Sequence, residues 1–380
     1  MKSEQRPVTA PDFLLSRPTG SIRTQGWKAT FPDAFDAATA LRDGQAELIV
    51  GAIPFDTSEA AALMEPETVT LSRSPLEPPA YFRGAEASAS LAVTEVRPLT
   101  TVEEHEALVE AAIATIQQTR LEKVVLARAV DVEFATAPDP LLVAARLIDL
   151  SANRDGFSVD LSVSGDDATS GAIFTGSSPE LLVSRRGSTV SAFPLAGSAP
   201  RTGDAATDAA AADRLRASSK DHAEHRLVVD HYRRVLEPLC SQISIPDRPE
   251  LHETNEMIHL GTRIEGVLRD EEFSALDLAL MLHPTPAVGG TPTDDALGII
   301  SECEIGRSFY AGAVGWCDAR GDGEYMVAIR SCVLRDKVAR AWAGGGIVGS
   351  SDPADEARET TAKMQTALRA LNVPAALRVV

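Results

Sequence analysis

The sequence predicts an α+β fold in which large β-sheets are flanked by helices. Apolar residues make up 44% of the 380 residues, which is enough for a packed core. Segments with strand character and segments with helical spacing alternate irregularly, without the regular βαβ order of a parallel sheet. No linker rich in Ser, Gly or charge separates two halves. We therefore expect one integrated unit over residues 101–376, with residues 1–100 adding to the sheets.

Individual elements are predicted from the spacing of apolar residues. The predicted helices cover 102–119, 139–150, 204–239, 273–282 and 353–371. The predicted strands cover 47–53, 88–93, 121–134, 309–317 and 324–334, with further strands in 171–196 around a turn at 186–187. A Pro- and Gly-rich loop is expected at 283–292, and another strand before the Gly-rich segment at 343–353.

Charge and composition argue against several functional classes. The formal net charge is −19, so the chain would repel a phosphate backbone, and we expect no nucleic-acid partner. No apolar run reaches the ~18 residues of a membrane span, and the first residues lack a signal-peptide pattern. The four cysteines show no C-x-x-C spacing and are expected to be reduced thiols of the core. These features predict a cytoplasmic protein without a membrane partner.

Two predicted helices carry carboxylates beside their apolar faces. In the last helix Glu356 and Glu359 border the apolar stripe, and in the long helix Asp221 and Glu224 lie within it. Buried carboxylates are costly unless a cation neutralises them, and an all-oxygen site suits Mg²⁺ better than zinc. The alternative is that these residues lie at a rim, paired with Lys or Arg. The sequence leaves both interpretations open.

Three further polar residues stand in apolar surroundings. Lys123 opens a buried strand and could act as a base, although it could also extend to solvent. Glu180 precedes an apolar run and could stay protonated as an acid, although it could also be a plain strand-edge residue. Arg330 lies in MVAIRSCVL, where an unpaired guanidinium would be costly, so we expect an anionic partner.

Two other patterns bear on cofactor binding. His222 and His225 are three residues apart and lack the H-E-x-x-H spacing of a zinc site, so zinc is not expected. Three glycines, at 344–346, precede the last helix and can present backbone N–H groups to an anion. They form neither a P-loop nor a dinucleotide fingerprint, so nucleotide binding is not expected.

Taken in order, nine segments resemble the chorismate-utilising enzymes, which include isochorismate, salicylate, anthranilate and aminodeoxychorismate synthases. Together they cover about 110–375. The segments are KVVLAR (123–128), GSSPELL (176–182), PLAGSAPR (194–201), KDHAEH (220–225), LHPTPAVGG (282–290), FYAGAVGWCD (309–318), AIR (328–330), AGGGIV (343–348) and DEARETTAK (355–363).

This resemblance implies the fold of anthranilate synthase component I, Mg²⁺ as cofactor and chorismate as substrate. By motif, Lys123 would be the base that activates water for attack at ring C2, and Glu180 the acid that protonates the departing C4 hydroxyl. The metal ligands would be Glu224 and Glu359, with Asp221 and Glu356 in support. The remaining substrate-binding residues would be Gly197, Ser198, His283, Ala287, Tyr310, Arg330, Gly344, Gly345, Gly346 and Lys363.

The resemblance also separates the branches of the family. Lys123 is typical of members that use water, and Ala196 stands where aminodeoxychorismate synthases often carry a lysine. Salicylate synthases usually have threonine where this chain has Ala287. We therefore predict conversion of chorismate to isochorismate, with salicylate formation as the alternative. No glutaminase subunit is expected, and a monomer is favoured. The product could feed siderophore, menaquinone or salicylate synthesis.

Overall fold

The computed structural model describes residues 10–270 and 272–378. These residues form twenty β-strands and nine α-helices. The strands are β1 (Phe13–Arg17), β2 (Gly20–Phe31), β3 (Leu48–Ile53), β4 (Ala62–Ser72), β5 (Val93–Pro98), β6 (Lys123–Phe134), β7 (Gly156–Asp160), β8 (Ile173–Gly176), β9 (Leu181–Arg186), β10 (Thr189–Phe193), β11 (Leu195–Pro200), β12 (Cys240–Ser244), β13 (Glu250–Glu253), β14 (Met257–Gly261), β15 (Ile264–Leu268), β16 (Gly290–Thr291), β17 (Ala313–Asp318), β18 (Gly323–Val327), β19 (Ser331–Arg335) and β20 (Val338–Val348).

The helices lie between these strands at irregular intervals, as expected for an α+β chain. Their bounds are α1 (Ala34–Arg42), α2 (Ala85–Ser90), α3 (Val102–Gln118), α4 (Pro140–Leu150), α5 (Ala205–Ala217), α6 (Ser219–Leu236), α7 (Ala275–Leu282), α8 (Thr293–Cys303) and α9 (Pro353–Ala370). Asp352 caps α9 by accepting a hydrogen bond from the Asp355 amide, and Pro353 occupies its first turn.

Antiparallel pairing joins seventeen of the described strands into one continuous ribbon. The order of pairing is β12, β15, β10, β9, β18, β17, β3, β4, β2, β1, β7, β8, β19, β20 and β6. Strands β5 and β16 share the other edge of β6. A buried cluster contains apolar side chains of β1, β7, β8 and β17. Because β17 is distant from the other three strands in pairing order, yet shares a buried cluster with them, the sheet folds back on itself.

A second, three-stranded sheet and two helices complete the region around β6 and β20. The small sheet pairs β11 with β14 and β14 with β13. Helix α9 packs on β20, α3 and α4, whereas α6 packs on β11 and β20. The largest apolar cluster joins side chains of α3, α6, α7 and α8 to β3, β6 and β9. Helices α6 and α9 therefore approach β20 from the side of the small sheet.

Most predicted elements are present, and the differences have local causes. The predicted helix at 204–239 is two helices, because Ser218 is extended (ψ 111°) and its hydroxyl caps α6 through the Asp221 amide. The predicted strand at 324–334 is broken at Arg330, which has φ +54°. The predicted strand at 88–93 is wrong, since Ala85–Ser90 is helical and β5 begins only at Val93.

The cysteines, the absence of a membrane span and the N-terminus were also subjects of prediction. Cys240, Cys317 and Cys332 are buried free thiols, but Cys303 is exposed on α8, a helix that the sequence did not reveal. Within the described ranges, no helix combines the length and apolarity that a bilayer span requires. The prediction of a missing signal peptide concerns residues 1–13, of which 1–9 lie outside the described residues.

Candidate active site

A cavity of about 660 Å³, including its opening to solvent, lies between β11, β20 and the loops before β9 and β17. Ten of the sixteen residues predicted for the site line it, namely Glu180, Gly197, Ser198, Glu224, Ala287, Tyr310, Arg330, Gly344, Gly346 and Lys363. The other six, which do not form its wall, are Lys123, Asp221, His283, Gly345, Glu356 and Glu359. The cavity thus gathers residues from segments between Val125 and Lys363.

Glu180 is held in the cavity wall by the backbone on both sides of it. Its amide donates to Ser178 Oγ (3.2 Å), and its carbonyl accepts from the Val327 amide (3.1 Å). The side chain is 2% exposed, and its Oε1 accepts from the Leu195 amide at 3.4 Å. Burial raises the pKa of Glu180 to about 7, against the opposing charge of Lys123. A carboxyl group with this pKa can hold and release a proton near neutral pH.

Lys123 lies directly behind the cavity wall and is fully buried. Its Nζ is 3.0 Å from Oε1 of Glu224, which does line the cavity. Burial by itself would raise the pKa of Glu224. The positive charge and hydrogen bond of Lys123 outweigh this effect, so the pKa of this carboxyl group is lowered. Of the two interpretations of Lys123, the buried one is therefore correct.

The Gly-rich segment of β20 gives Lys123 and Glu224 the space that they occupy. A Cβ atom at Gly346 would lie 2.1 Å from Glu224 Oε1 and 2.8 Å from Lys123 Cε. At Gly345 a Cβ atom would lie 3.0 Å from Glu356 Oε2. The glycines therefore allow these charged side chains to lie close to the β20 backbone. The sequence did not predict this role for them.

Each glutamate of the predicted metal set is paired with a lysine. Besides the Lys123 pair, Glu356 accepts from Lys220 Nζ at 2.5 Å and from Ser351 Oγ at 2.8 Å. Glu359 Oε1 is 2.6 Å from Lys363 Nζ. Glu224 and Glu356 are 7% and 1% exposed, so these residues face inward and are also paired. The inward direction of Glu224 and Glu356 and the pairing with lysine are both observed, whereas binding of a cation stays a prediction.

The carboxylates also repel one another. Burial and the neighbouring charge of Glu359 raise the pKa of Glu356 to about 7. Burial, with Glu224 and Glu359 nearby, also raises the pKa of Asp221. Carboxylates that repel one another would gain from an added cation, and carboxylate oxygens are the ligands that Mg²⁺ prefers.

The donor set therefore fits Mg²⁺ by its chemistry. Within the part of the chain that the structure describes, no group of three or more Asp, Glu, His or Cys side chains stands ready to hold a metal ion. The lysine pairs explain why the carboxylates are not gathered, because the lysine Nζ groups contact the carboxylate oxygens that would otherwise bind the metal ion. His222 and His225, the residues weighed for zinc, bond to the Arg216 carbonyl and to the Ala196 carbonyl, respectively.

Another part of the wall is aromatic and cationic. Tyr310 stacks on Trp342 with ring centroids 5.8 Å apart and an interplanar angle of 8°. Burial raises the pKa of Tyr310 to about 12, so its hydroxyl stays protonated. Arg330 is 6% exposed, and Lys363 Nζ donates to the Gly344 carbonyl at 3.0 Å. This end of the cavity suits an anionic ligand with an apolar body.

The family follows from comparison with known proteins. The profile of the chorismate binding enzymes matches residues 79–372. The putative isochorismate synthase MenF of Mycobacterium tuberculosis is 45% identical over 368 residues, which is 96% of each chain. Isochorismate synthase DhbC of Bacillus subtilis is 41% identical and covers 88% of this chain and 83% of its own. The chain belongs to the chorismate-binding enzyme family.

Solved structures of related enzymes agree with this assignment. The putative 2,3-dihydroxybenzoate-specific isochorismate synthase DhbC from Bacillus anthracis has a TM-score of 0.87 at 33% identity and covers 98% of both chains. Anthranilate synthase component I from Streptococcus pneumoniae has a TM-score of 0.64 at 20% identity, over 97% of this chain and 94% of its own. The predicted fold class is thereby confirmed.

His283 does not contact the cavity, contrary to the prediction. Its Nε2 donates to the Phe55 carbonyl at 3.0 Å, and its ring meets the Phe55 ring edge to face. Phe55 in turn lies under the guanidinium of Arg307, 4.4 Å from its carbon. In this chorismate-binding enzyme, His283 thus anchors the loop that carries Ala287 without touching the cavity itself.

Ten residues of the cavity wall were not predicted, and two of them, His259 and Trp342, have aromatic side chains with a polar nitrogen. His259 lies in MIHLG, a fully buried strand in which a histidine is out of place. That mismatch was the available signal. Trp342 precedes the glycines in AWAGGG and gave no periodic signal, because its role depends on the distant Tyr310.

Proposed function

We propose that this chain is an isochorismate synthase, which converts chorismate to isochorismate by adding water at C2 with loss of the C4 hydroxyl. The observation that carries the proposal is the cavity, in which a buried carboxyl with a pKa of about 7 lies near a buried lysine and two further cations. Relatives named isochorismate synthase at 38–45% identity over most of the chain support it.

The residues of this chain divide the reaction between them. Lys123 would take a proton from the attacking water, and Glu180 would give a proton to the leaving hydroxyl. Arg330 and Lys363 would bind a carboxylate of the substrate, because both are cationic and line the cavity. The Tyr310 and Trp342 rings would cover the apolar part of the ligand. At position 287 the wall carries only the methyl group of Ala287, with no side-chain hydroxyl.

Mg²⁺ is part of the proposal, and it would neutralise a substrate carboxylate within an acidic protein. Glu224 and Glu359 would hold it, supported by Asp221 and Glu356. Their mutual repulsion and all-oxygen chemistry favour this assignment.

Incubation with chorismate and Mg²⁺, followed by chromatography, tests the activity. Isochorismate as the sole product would support the proposal. Salicylate with pyruvate would instead make the chain a salicylate synthase, and anthranilate formed with added ammonium would assign it to the amine-using branch. A lack of any turnover would contradict all three.

Calorimetric titration with Mg²⁺ tests the ligands without relying on turnover. We expect Glu224→Gln and Glu359→Gln to weaken Mg²⁺ binding at least about tenfold, since each removes a charged ligand. Glu302→Gln, an exposed change on α8, is the matched control. Equal Mg²⁺ affinity in the unmodified protein and all three variants would refute the metal assignment.

We further propose that the enzyme is a cytoplasmic monomer without a glutaminase subunit. Its four free cysteines suit a reducing compartment. Light scattering after size-exclusion chromatography would give a mass near 40.3 kDa for a monomer and about twice that value for a dimer.

A further inference from the structure

His259 connects two of the residues that were predicted to bind substrate. The register of the small sheet sets His259 on β14 directly opposite Ser198 on β11. Its Nδ1 is 2.8 Å from Ser198 Oγ, and its Nε2 is 3.2 Å from Nη2 of Arg330. The imidazole is 4% exposed and also lines the cavity. One buried ring therefore joins a hydroxyl and a guanidinium at the cavity wall.

The chemistry of the partners fixes the position of the proton on this ring. A guanidinium has donors only, so Nε2 of His259 must accept the hydrogen bond from Arg330. A neutral imidazole then carries its single proton on Nδ1. That proton can be donated only to Ser198 Oγ, which acts as the acceptor. The reverse arrangement would direct two N–H groups at each other across 3.2 Å.

The surrounding charges agree with a neutral ring. Burial, and then the charges of Arg330 and Lys363, hold the pKa of His259 well below its usual value. Because Ser198 Oγ already accepts from Nδ1, its own hydrogen is free to be donated elsewhere. Ser198 itself lines the cavity, so its hydrogen can be donated there.

We propose that His259 is a positioning residue that makes Ser198 a hydrogen-bond donor to a carboxylate of the bound substrate while holding Arg330 in place for the same anion. Arg330 needs such support, because it has φ +54°, a conformation that non-glycine residues adopt at a cost. The identity of the anion as a chorismate carboxylate rests on the proposed function. The proton position on His259 does not.

Nitrogen-15 NMR of histidine-labelled protein tests the proton position directly. At pH 7 to 8 we expect the His259 signals of a ring protonated at Nδ1, the less common neutral form, assigned by their loss in His259→Asn. A ring protonated at Nε2, or doubly protonated, would overturn the proposal. This readout needs neither substrate nor turnover, so it stands even if the chain does not convert chorismate.

Steady-state kinetics test the consequence for the substrate. We expect Ser198→Ala to raise the KM for chorismate about tenfold, the effect of one hydrogen bond to a charged group, with kcat less affected. His259→Gln keeps an acceptor for Arg330 but provides no donor for Ser198 at the Nδ1 position, and should also raise KM. In the double variant the two effects should not multiply, because both act through one hydrogen-bond chain.

The control is His252→Asn. His252 lies opposite His259 on the neighbouring strand β13 and stacks edge to face on Phe193, outside the cavity wall. The His252→Asn substitution should leave the KM for chorismate unchanged. The proposed hydrogen-bond chain would be contradicted if the increases in KM from the Ser198 and His259 substitutions multiplied in the double variant. An equal increase in KM in the His252 variant would also contradict it.

Discussion

Glu180 shows how burial alone can prepare a residue for chemistry at neutral pH. Among the described residues, the one hydrogen bond to its carboxyl group is the long one from the Leu195 amide, an uncharged donor. Its pKa of about 7 is therefore set by the cost of burying a charge. Activity and stability should both depend on this proton.

The pH dependence of Glu180 has a defined sign. Between pH 4.5, its ordinary pKa, and about 7, the native protein keeps a proton that the unfolded chain releases. The stability that this proton gives is complete below pH 4.5 and is lost as the pH rises to 7, by at most about 3 kcal/mol. Glu180→Gln should remove this part of the pH dependence in urea unfolding at pH 5 and pH 8. An unchanged difference between the two pH values would contradict it.

The same variant should lose turnover. As the proposed acid, Glu180 would contribute about 10²-fold or more to kcat, and activity of the unmodified enzyme should fall as the pH rises above about 7. Glu324→Gln, a half-buried glutamate on β18, is the control. Retention of normal kcat by Glu180→Gln would end the assignment.

Lys123→Met tests the proposed base while keeping the length of the side chain. We expect kcat to fall at least about a hundredfold. Removal of Lys123 should also raise the pKa of Glu224, since Lys123 is what lowers it. The control is Lys28→Met, which alters a half-exposed lysine on β2. Near-normal turnover in Lys123→Met would require another base.

Residue roles differed in how far the sequence could predict them. Glu180 and Lys123 were recognisable because a charged residue interrupts or opens an apolar run. His259 gave only a weak signal, because its function depends on Ser198, 61 positions away in the chain. His283 was misassigned because its motif is close to the site in sequence, whereas the direction of its ring depends on Phe55.

Among the elements, β20 is the one on which the site most depends. Its glycines let two helices bring carboxylates against a strand, which a chain of ordinary residues would prevent. Periodicity predicted α3, α4 and α9 closely, because each has a long amphipathic pattern. It could not predict the break between α5 and α6, because the Ala-rich sequence around Ser218 has no proline or glycine to end a helix.

Gly346→Ala should disable the site without unfolding the chain. The new methyl group would displace Glu224 or Lys123, so we expect a loss of kcat of about a hundredfold or more. Gly298→Ala is the matched control, because nothing lies within 4 Å of its Cβ position in α8. That variant should gain about 0.5–1 kcal/mol in unfolding free energy. Equal activity of the two variants would mean that the close approach at Gly346 has no functional role.

At the scale of the molecule, the cavity depends on a buried ion pair outside it. Arg307 and Glu304 have side chains only 2% and 3% exposed. Arg307 donates to the carbonyls of Val288 (2.6 Å) and Val125 (2.8 Å), which both line the cavity. Glu304 accepts from the Ala127 amide at 2.7 Å. Through these hydrogen bonds, the pair connects the loop after α7 to strand β6.

Arg307→Met should destabilise the protein by about 3–5 kcal/mol, because Glu304 is left buried and unpaired. The double variant with Glu304→Gln should recover part of that loss in thermal or urea unfolding. Arg320→Met is the control, since the Arg320 side chain in its pair with Asp318 is exposed and screened by solvent. A double variant less stable than the single one would show that the charge of Glu304 is not the cause.

The fold class could be predicted from the sequence, but the order of strands could not. Irregular alternation of elements indicated α+β packing, and the resemblance supplied the fold. The pairing of β3 with β17, which are more than 250 residues apart, follows from no local pattern. Register in such sheets is decided by which apolar faces meet after collapse, which is not encoded within any short segment.

The pairing of Lys123 with Val348 in β6 and β20 has a consequence for biosynthesis. More than half of the chain separates these partners, and the last helix must then dock on β20. A nascent polypeptide that has emerged from the ribosome only as far as β19 lacks both Gly346 and the acidic residues of α9. It therefore cannot form the complete site before β20 and α9 have been synthesised.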